Sequence, residues 1–166
     1  DGDTGTNMLL TMRSSIQEAS QVAEPNVSSV IQALAKGALM GARGNSGVIL
    51  SQIWRGLAKS LSEKDAVDGS DLAEALLEAS ETAYKGLTNP VEGTILTVIR
   101  EAADAAMGQL SSSDGNLTLV LEATVSAASK SLANTPELLP VLKDAEVVDA
   151  GGHGLYTLLE GALLYL

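Results

Sequence analysis

Apolar residues recur along this chain at helical spacing almost throughout. Leu72, Leu76, Ala79, Ala83 and Leu87 follow one another at steps of three and four, with Glu74, Glu78, Glu81 and Lys85 between them. That spacing gathers the apolar side chains on one stripe of a helix and leaves the charges on the other face. Stretches of the same character run over 6–22, 30–40, 47–61, 94–110 and 117–132, and from 154 to the end, with a shorter one starting near Pro136. No stretch alternates as a strand does; 145–148 comes nearest and is too short. The breaks carry start and stop signals. Ser29-Val30-Ile31-Gln32 reads as a capping box. Thr135-Pro136 places a capping hydroxyl before a proline in the first helical position. Gly69-Ser70-Asp71 and Asp114-Gly115-Asn116 read as turns that end one helix and open the next. The expectation is an all-α protein of about seven amphipathic helices, with short loops making sequence neighbours antiparallel in an up-and-down bundle. No linker, repeat or low-complexity tract divides residues 1–166, which are expected to form one domain.

Composition sharpens this picture. Apolar residues make up 45% of the chain while aromatics make up 2% and Phe is absent, so the core must be built from Leu, Ala, Val and Ile. Leu and Ala are strong helix formers. The formal net charge is −11, which repels phosphate backbones and anionic membrane surfaces, so nucleic acid is not an expected partner. An anionic ligand would need local neutralisation by metal ions and backbone amides. Without cysteine the chain has no disulfide and no thiol chemistry, in keeping with a cytoplasmic protein. No apolar run reaches the length of a membrane span. The chain opens on Asp1 and stops within an apolar run, so it reads as a piece of a longer polypeptide.

Four glycine-rich junctions interrupt the helical pattern, and plain bundle loops do not need so much glycine. In Asp1-Gly2-Asp3-Thr4-Gly5-Thr6-Asn7, two carboxylates one residue apart can converge on Mg²⁺, which takes oxygen ligands and needs few carboxylates when phosphate completes its shell. The other reading is an Asx-turn and helix cap. The segment is not an EF-hand loop, because that loop wants glycine at its sixth position and Glu at its twelfth, where this chain has Thr6 and Met12. In Gly41–Gly47, three glycines at three-residue spacing with Asn45 and Ser46 suit an anion-binding nest, or a helix C-cap at Gly41 followed by a turn. It lacks the Gly-Lys-Ser/Thr ending of a Walker A loop. In Pro90–Thr94, Thr94 either caps a helix or holds a ligand, and Arg100 lies within reach of that helix end or of a neighbouring acid. In Asp149–Gly154, Gly151 and Gly152 permit close backbone approach to a ligand. His153, the only histidine, reads as a base or as a surface residue.

Taken in order, Asp1–Met8, Gly41–Gln52, Glu92–Arg100 and Val148–Leu155 resemble the motifs of the DhaL-like kinase domain. That domain is the nucleotide-binding half of dihydroxyacetone kinases and the N-terminal domain of the bacterial fatty acid kinase catalytic subunit. Gly41–Gln52 and Glu92–Val98 look more like the fatty acid kinase branch. The resemblance implies an up-and-down barrel of about eight antiparallel helices, the first of them missing here, with ATP bound at one end. It implies that Asp1 and Asp3 are catalytic and hold two Mg²⁺ ions, and that Thr4, Thr6, Asn7, Asn45 and Ser46 contact phosphate. Gly93, Thr94 and Leu96 would lie near the nucleotide, and Asp149, Ala150 and Gly151 near its sugar and adenine edge. The implied reaction is ATP-dependent phosphorylation of a fatty acid carboxylate presented by a separate acyl-binding protein. A homodimer through the rest of the polypeptide is also expected. The alternatives are a nucleotide-binding subunit of a dihydroxyacetone (small polyol) kinase, and a non-catalytic helical module that binds nucleotide or a partner.

Overall fold

The computed structural model describes residues 2–166, and among them every regular element is helical. The helices are α1 (Thr4–Ala19), α2 (Val27–Gly41), α3 (Gly44–Ser60), α4 (Gly69–Lys85), α5 (Ile95–Ser113), α6 (Leu117–Leu138), α7 (Pro140–Asp144) and α8 (Ala150–Tyr165). The readings that fall on Asp1 lie outside the described residues.

Consecutive helices from α1 to α6 pack side by side; α6 then packs on α8 and α8 on α1, closing the ring, while the short α7 rests on α6. Lys59 meets Glu78 while Gln52 meets Gly86, so α3 and α4 run in opposite directions, as the short loop between them requires. Alanine makes the close approaches possible. Ala79, Ala83, Ala102, Ala103, Ala106 and Ala128 are fully buried, and around them pack the larger Leu50, Leu96, Val98, Ile99 and Val120. Each of these larger side chains contributes roughly 1.5–3 kcal/mol on burial. A smaller cluster of Ile31, Ala58, Leu61 and Ala75 fills the space under α2. No helix among the described residues is long and apolar enough to cross a membrane.

Three helix starts differ from the expected ones. Gly69-Ser70-Asp71 is not a turn but the first turn of α4, because Asp68 caps it by accepting from the Asp71 amide at 2.9 Å. The capping box of α2 is formed by Asn26 and Ser29: the Asn26 side chain accepts from the Ser29 amide at 2.7 Å, and the Ser29 hydroxyl accepts from the Asn26 amide at 3.0 Å. Ser29 is therefore the third helical residue and not the cap, because a carboxamide three residues upstream satisfies its amide first. Pro136 does not begin a helix; it lies inside α6. A proline there leaves the carbonyl four residues earlier without its amide donor. That carbonyl belongs to Leu132, and the Thr135 hydroxyl donates to it at 2.8 Å instead. Asp114 (φ 48°) and Gly115 (φ 71°) make the expected turn into α6, which Asn116 caps.

Candidate nucleotide site at the converging helix ends

The four glycine junctions sit at the starts of α1, α3, α5 and α8, and the fold brings these starts to one end of the ring. Gly44 lies against Asn7, and Gly151 lies against Ile95. Between them is a cavity of about 370 Å³ lined by Thr4, Asn45, Ser46, Thr94, Leu96, Asp149 and Gly151. The four helices thus point their positive ends at one space, each equivalent to about half an elementary charge. The chain is strongly acidic, and helix starts of this kind are where an anion would find local compensation.

The helix starts differ in how their free amides are used. On α5, the Thr94 hydroxyl accepts from the Leu96 amide at 3.3 Å. On α8, the Asp149 carboxylate accepts from the Gly152 amide at 2.6 Å. Burial pushes the Asp149 carboxyl up, only partly countered by the Gly152, Ile95 and Gly151 amides. The starts of α1 and α3 carry no side-chain cap. Their first amides have no partner within the helix and meet none among the described residues, which leaves them available to a ligand. Asp3 stands at the cap position of α1 but does not cap it; its carboxylate accepts from the Asn7 side chain at 3.0 Å. The cap reading therefore does not describe Asp3. It is an exposed carboxylate next in sequence to Thr4, which lines the cavity, and it keeps unused acceptor positions. No group of three or more metal-ligating acids or histidines occurs among the described residues. A hard cation that takes one or two carboxylates and completes its shell with phosphate fits such a donor set; the described residues form no dedicated all-protein cage.

Other expected residues have different surroundings. Thr6 and Ala150 are exposed and do not line the cavity. Asn7 holds Asp3 and packs against Gly44, whose φ of +59° and nearest neighbour, the Asn7 amide nitrogen, leave little room for a side chain. Gly93 is buried with its amide donated to the Thr97 hydroxyl at 2.8 Å, which leaves that amide unavailable to a ligand. His153 is exposed on the first turn of α8 and is not part of the lining. Arg100 is bound to Glu92 at 2.6 Å.

The sequence reading missed the apolar wall. Ile49, Leu87, Val91 and Ile95 line the cavity together with Asn89, so the lining is part apolar and part polar. Their only sequence signal is weak: Leu87 and Ile95 end or begin apolar stripes, and 87–91 read as a connection. A larger chamber of about 440 Å³ lies among α3, α4, α5, α6 and α8, lined by residues such as Leu50, Trp54, Leu76, Ile99, Leu121 and Leu155. Its lining is almost wholly apolar and carries no charged side chain to orient a phosphate.

A family model described as the DAK2 domain matches residues 1–164. The chain is 49% identical over 166 residues to protein YloV of Bacillus subtilis (strain 168), covering 100% of this chain and 30% of the relative. It is 48% identical over 163 residues to an uncharacterized protein of Staphylococcus epidermidis, covering 98% of this chain and 29% of that one. It is 47% identical over 163 residues to an uncharacterized protein of Staphylococcus aureus (strain USA300), covering 98% of this chain and 30% of that one. The chain spans about 30% of the length of these curated relatives.

Proposed function

Since the chain belongs to the DAK2-domain family of the dihydroxyacetone kinase superfamily, whose members bind adenine nucleotides, we propose that residues 1–166 are the nucleotide-binding kinase domain of a longer polypeptide. The observation that carries this reading is the pair of uncapped helix starts, α1 and α3, at one cavity whose lining mixes polar and apolar side chains. Phosphates bind such starts through backbone N–H groups and the helix field. In this reading Thr4, Asn45 and Ser46 orient the phosphates, and Leu87, Val91 and Ile95 receive the base. Asp149 and Gly151 line the sugar and adenine edge. Asp1 and Asp3 would hold two Mg²⁺ ions, and Asn7 keeps the Asp3 carboxylate turned toward its task. When bound, Mg²⁺ supplies the charge neutralisation that phosphoryl transfer requires.

The reaction is transfer of the γ-phosphoryl group of ATP. The bond from phosphorus to the β-bridging oxygen breaks, a bond to an acceptor oxygen forms, and ADP leaves. The acceptor is a fatty acid carboxylate carried by a separate acyl-binding protein, and the product is an acyl phosphate. Support for this acceptor comes from the wording of Gly41–Gln52 and Glu92–Val98, which resembles the fatty acid kinase branch. The second reading, a dihydroxyacetone kinase nucleotide-binding subunit, is favoured directly by the family match.

Two measurements on the full-length protein test these statements. ATP is titrated with and without Mg²⁺, into the parent and into Asp3→Ala. The expected result is Mg-dependent binding that Asp3→Ala weakens; no binding by the parent, or a variant unaffected, removes the site assignment. Turnover is then followed with fatty acid and its carrier, and with dihydroxyacetone and its carrier subunit. Turnover only with dihydroxyacetone ends the fatty acid reading.

A further inference from the structure

Where α4 leads into α5, side chains from the end of α4, the connection and the start of α5 form a polar cluster that does not itself line the cavity. Glu92 is its centre. Its Oε1 accepts from the Tyr84 hydroxyl at 3.0 Å and from Arg100 Nη1 at 2.6 Å, and its Oε2 accepts from the Thr97 hydroxyl at 2.6 Å. Arg100 Nη1 also donates to the Tyr84 oxygen at 2.9 Å, and its guanidinium carbon stands 5.8 Å from the centre of the Tyr84 ring. Thr97 is fully buried, and its oxygen accepts from the Gly93 amide at 2.8 Å. Each hydroxyl in the cluster therefore both donates and accepts, and the chain of bonds runs without a gap from Arg100 to the backbone of Gly93.

Gly93 is the point at which this cluster controls the loop. Its φ is +79°, in the left-handed region, and a Cβ there would lie 2.8 Å from the Leu139 Cβ and 3.0 Å from the Leu139 amide nitrogen. The backbone is thus held between Thr97 on one side and the end of α6 on the other. The next residue, Thr94, donates its hydroxyl to the Val91 carbonyl at 2.7 Å and accepts from the Leu96 amide. Asn89, Val91 and Thr94 line the cavity, while Glu92 and Gly93 between them do not. Where Gly93 sits, Val91 and Thr94 must follow.

We propose that Glu92, with Thr97, Tyr84 and Arg100, is a positioning network that fixes the 89–94 wall of the nucleotide cavity by holding the Gly93 amide. The inference rests on the nucleotide reading of that cavity. It explains why an ion pair half open to water is built with so many bonds: exposed pairs add little to global stability, but a loop that must be ordered before a ligand binds gains affinity from them.

The test uses the full-length protein and Mg·ATP titration of the parent, Thr97→Val, Thr97→Ser, Glu92→Ala and the double variant Glu92→Ala with Thr97→Val. Thr97→Val and Glu92→Ala are each expected to weaken binding about tenfold, a change of about 1.4 kcal/mol. Thr97→Ser, which keeps the hydroxyl, should bind as the parent does. The double variant should be little worse than either single one, because residues acting as one unit are not additive. Exchange of the Gly93 amide with solvent, measured without nucleotide, should accelerate in Glu92→Ala while the α5 amides keep their protection. Parent-like affinity and exchange in Glu92→Ala, or additive losses in the double variant, overturn the inference. Absence of Mg·ATP binding by the parent overturns the nucleotide reading and this inference with it; failure of the variants alone to differ leaves that reading intact.

Discussion

Gly56→Ala is the sharpest test of how α3 packs on α4. A Cβ built on Gly56 would stand 2.4 Å from the Ala79 Cα, 2.7 Å from the Glu78 carbonyl oxygen and 2.8 Å from the Ala79 amide nitrogen. All three are backbone atoms, so no rotamer change relieves the clash, and the helices must separate by about 1 Å to restore contact distances near 3.5–4.0 Å. Overpacking of this kind costs roughly 1–3 kcal/mol, and the fixed backbone puts this site at the upper end. Alanine regains about 1 kcal/mol through its better helix propensity. The expected net loss is about 2 kcal/mol, or about 4–8 °C in Tm for a chain of this size. Gly108, inside α5, is the internal control: nothing lies within 4 Å of the Cβ it lacks, so Gly108→Ala should gain about 0.5–1 kcal/mol. Thermal and urea unfolding followed by circular dichroism measure both. A Gly56→Ala protein as stable as its parent, or two variants that shift together, would refute the close backbone contact.

At Gly44, the left-handed φ makes an alanine cost roughly 1–2 kcal/mol, and its Cβ displaces the Asn7 side chain that holds Asp3. Gly44→Ala should therefore weaken Mg·ATP binding by more than its loss of stability accounts for, as titration and urea unfolding of the same preparation would reveal; a loss in stability alone contradicts the coupling. Asp149 gives a pH signature. Its folded-state pKa lies above the ordinary value of 3.8, so its stability contribution is complete below that pH and is lost as pH rises through the folded value. Asp149→Asn keeps an acceptor for the Gly152 amide and should gain on the parent across that window, read from unfolding midpoints at stepped pH; parallel curves would show that burial of the charge is not felt. Glu92 has the opposite sign. Burial pushes its carboxyl up, but bonds from Arg100, Thr97 and Tyr84 outweigh that and hold it below the ordinary carboxylate value, while burial and Glu92 push the Tyr84 hydroxyl up to about 12. The loop network is accordingly complete above pH 4.5 and should loosen only as pH falls through the depressed Glu92 value, seen as faster Gly93 exchange; loosening on the alkaline side near neutrality would contradict it.

Helical periodicity was legible because an amphipathic stripe is a local property: Leu72 to Leu87 declare a buried face whatever they pack against. The four glycine junctions were legible for the same reason, since each is a short break in such a stripe. The sequence by itself thus determined an all-helical chain and the segments where chemistry should be sought. The expected antiparallel alternation already put the starts of α1, α3 and α5 at one end; the sequence did not determine that the start of α8 joins them, which depends on the short α7 resting on α6 and on α8 packing against α6 and α1. Nor did it determine which polar groups serve as caps. Asp3 stands in a cap position yet accepts from the Asn7 side chain instead, Thr135 mends the carbonyl that Pro136 orphans, and Gly93 gives its amide to Thr97. Each outcome depends on what competing partner the fold brings within hydrogen-bond distance. The apolar wall of Ile49, Leu87, Val91 and Ile95 is of the same kind, because residues from three separate segments become one surface only when the ring closes.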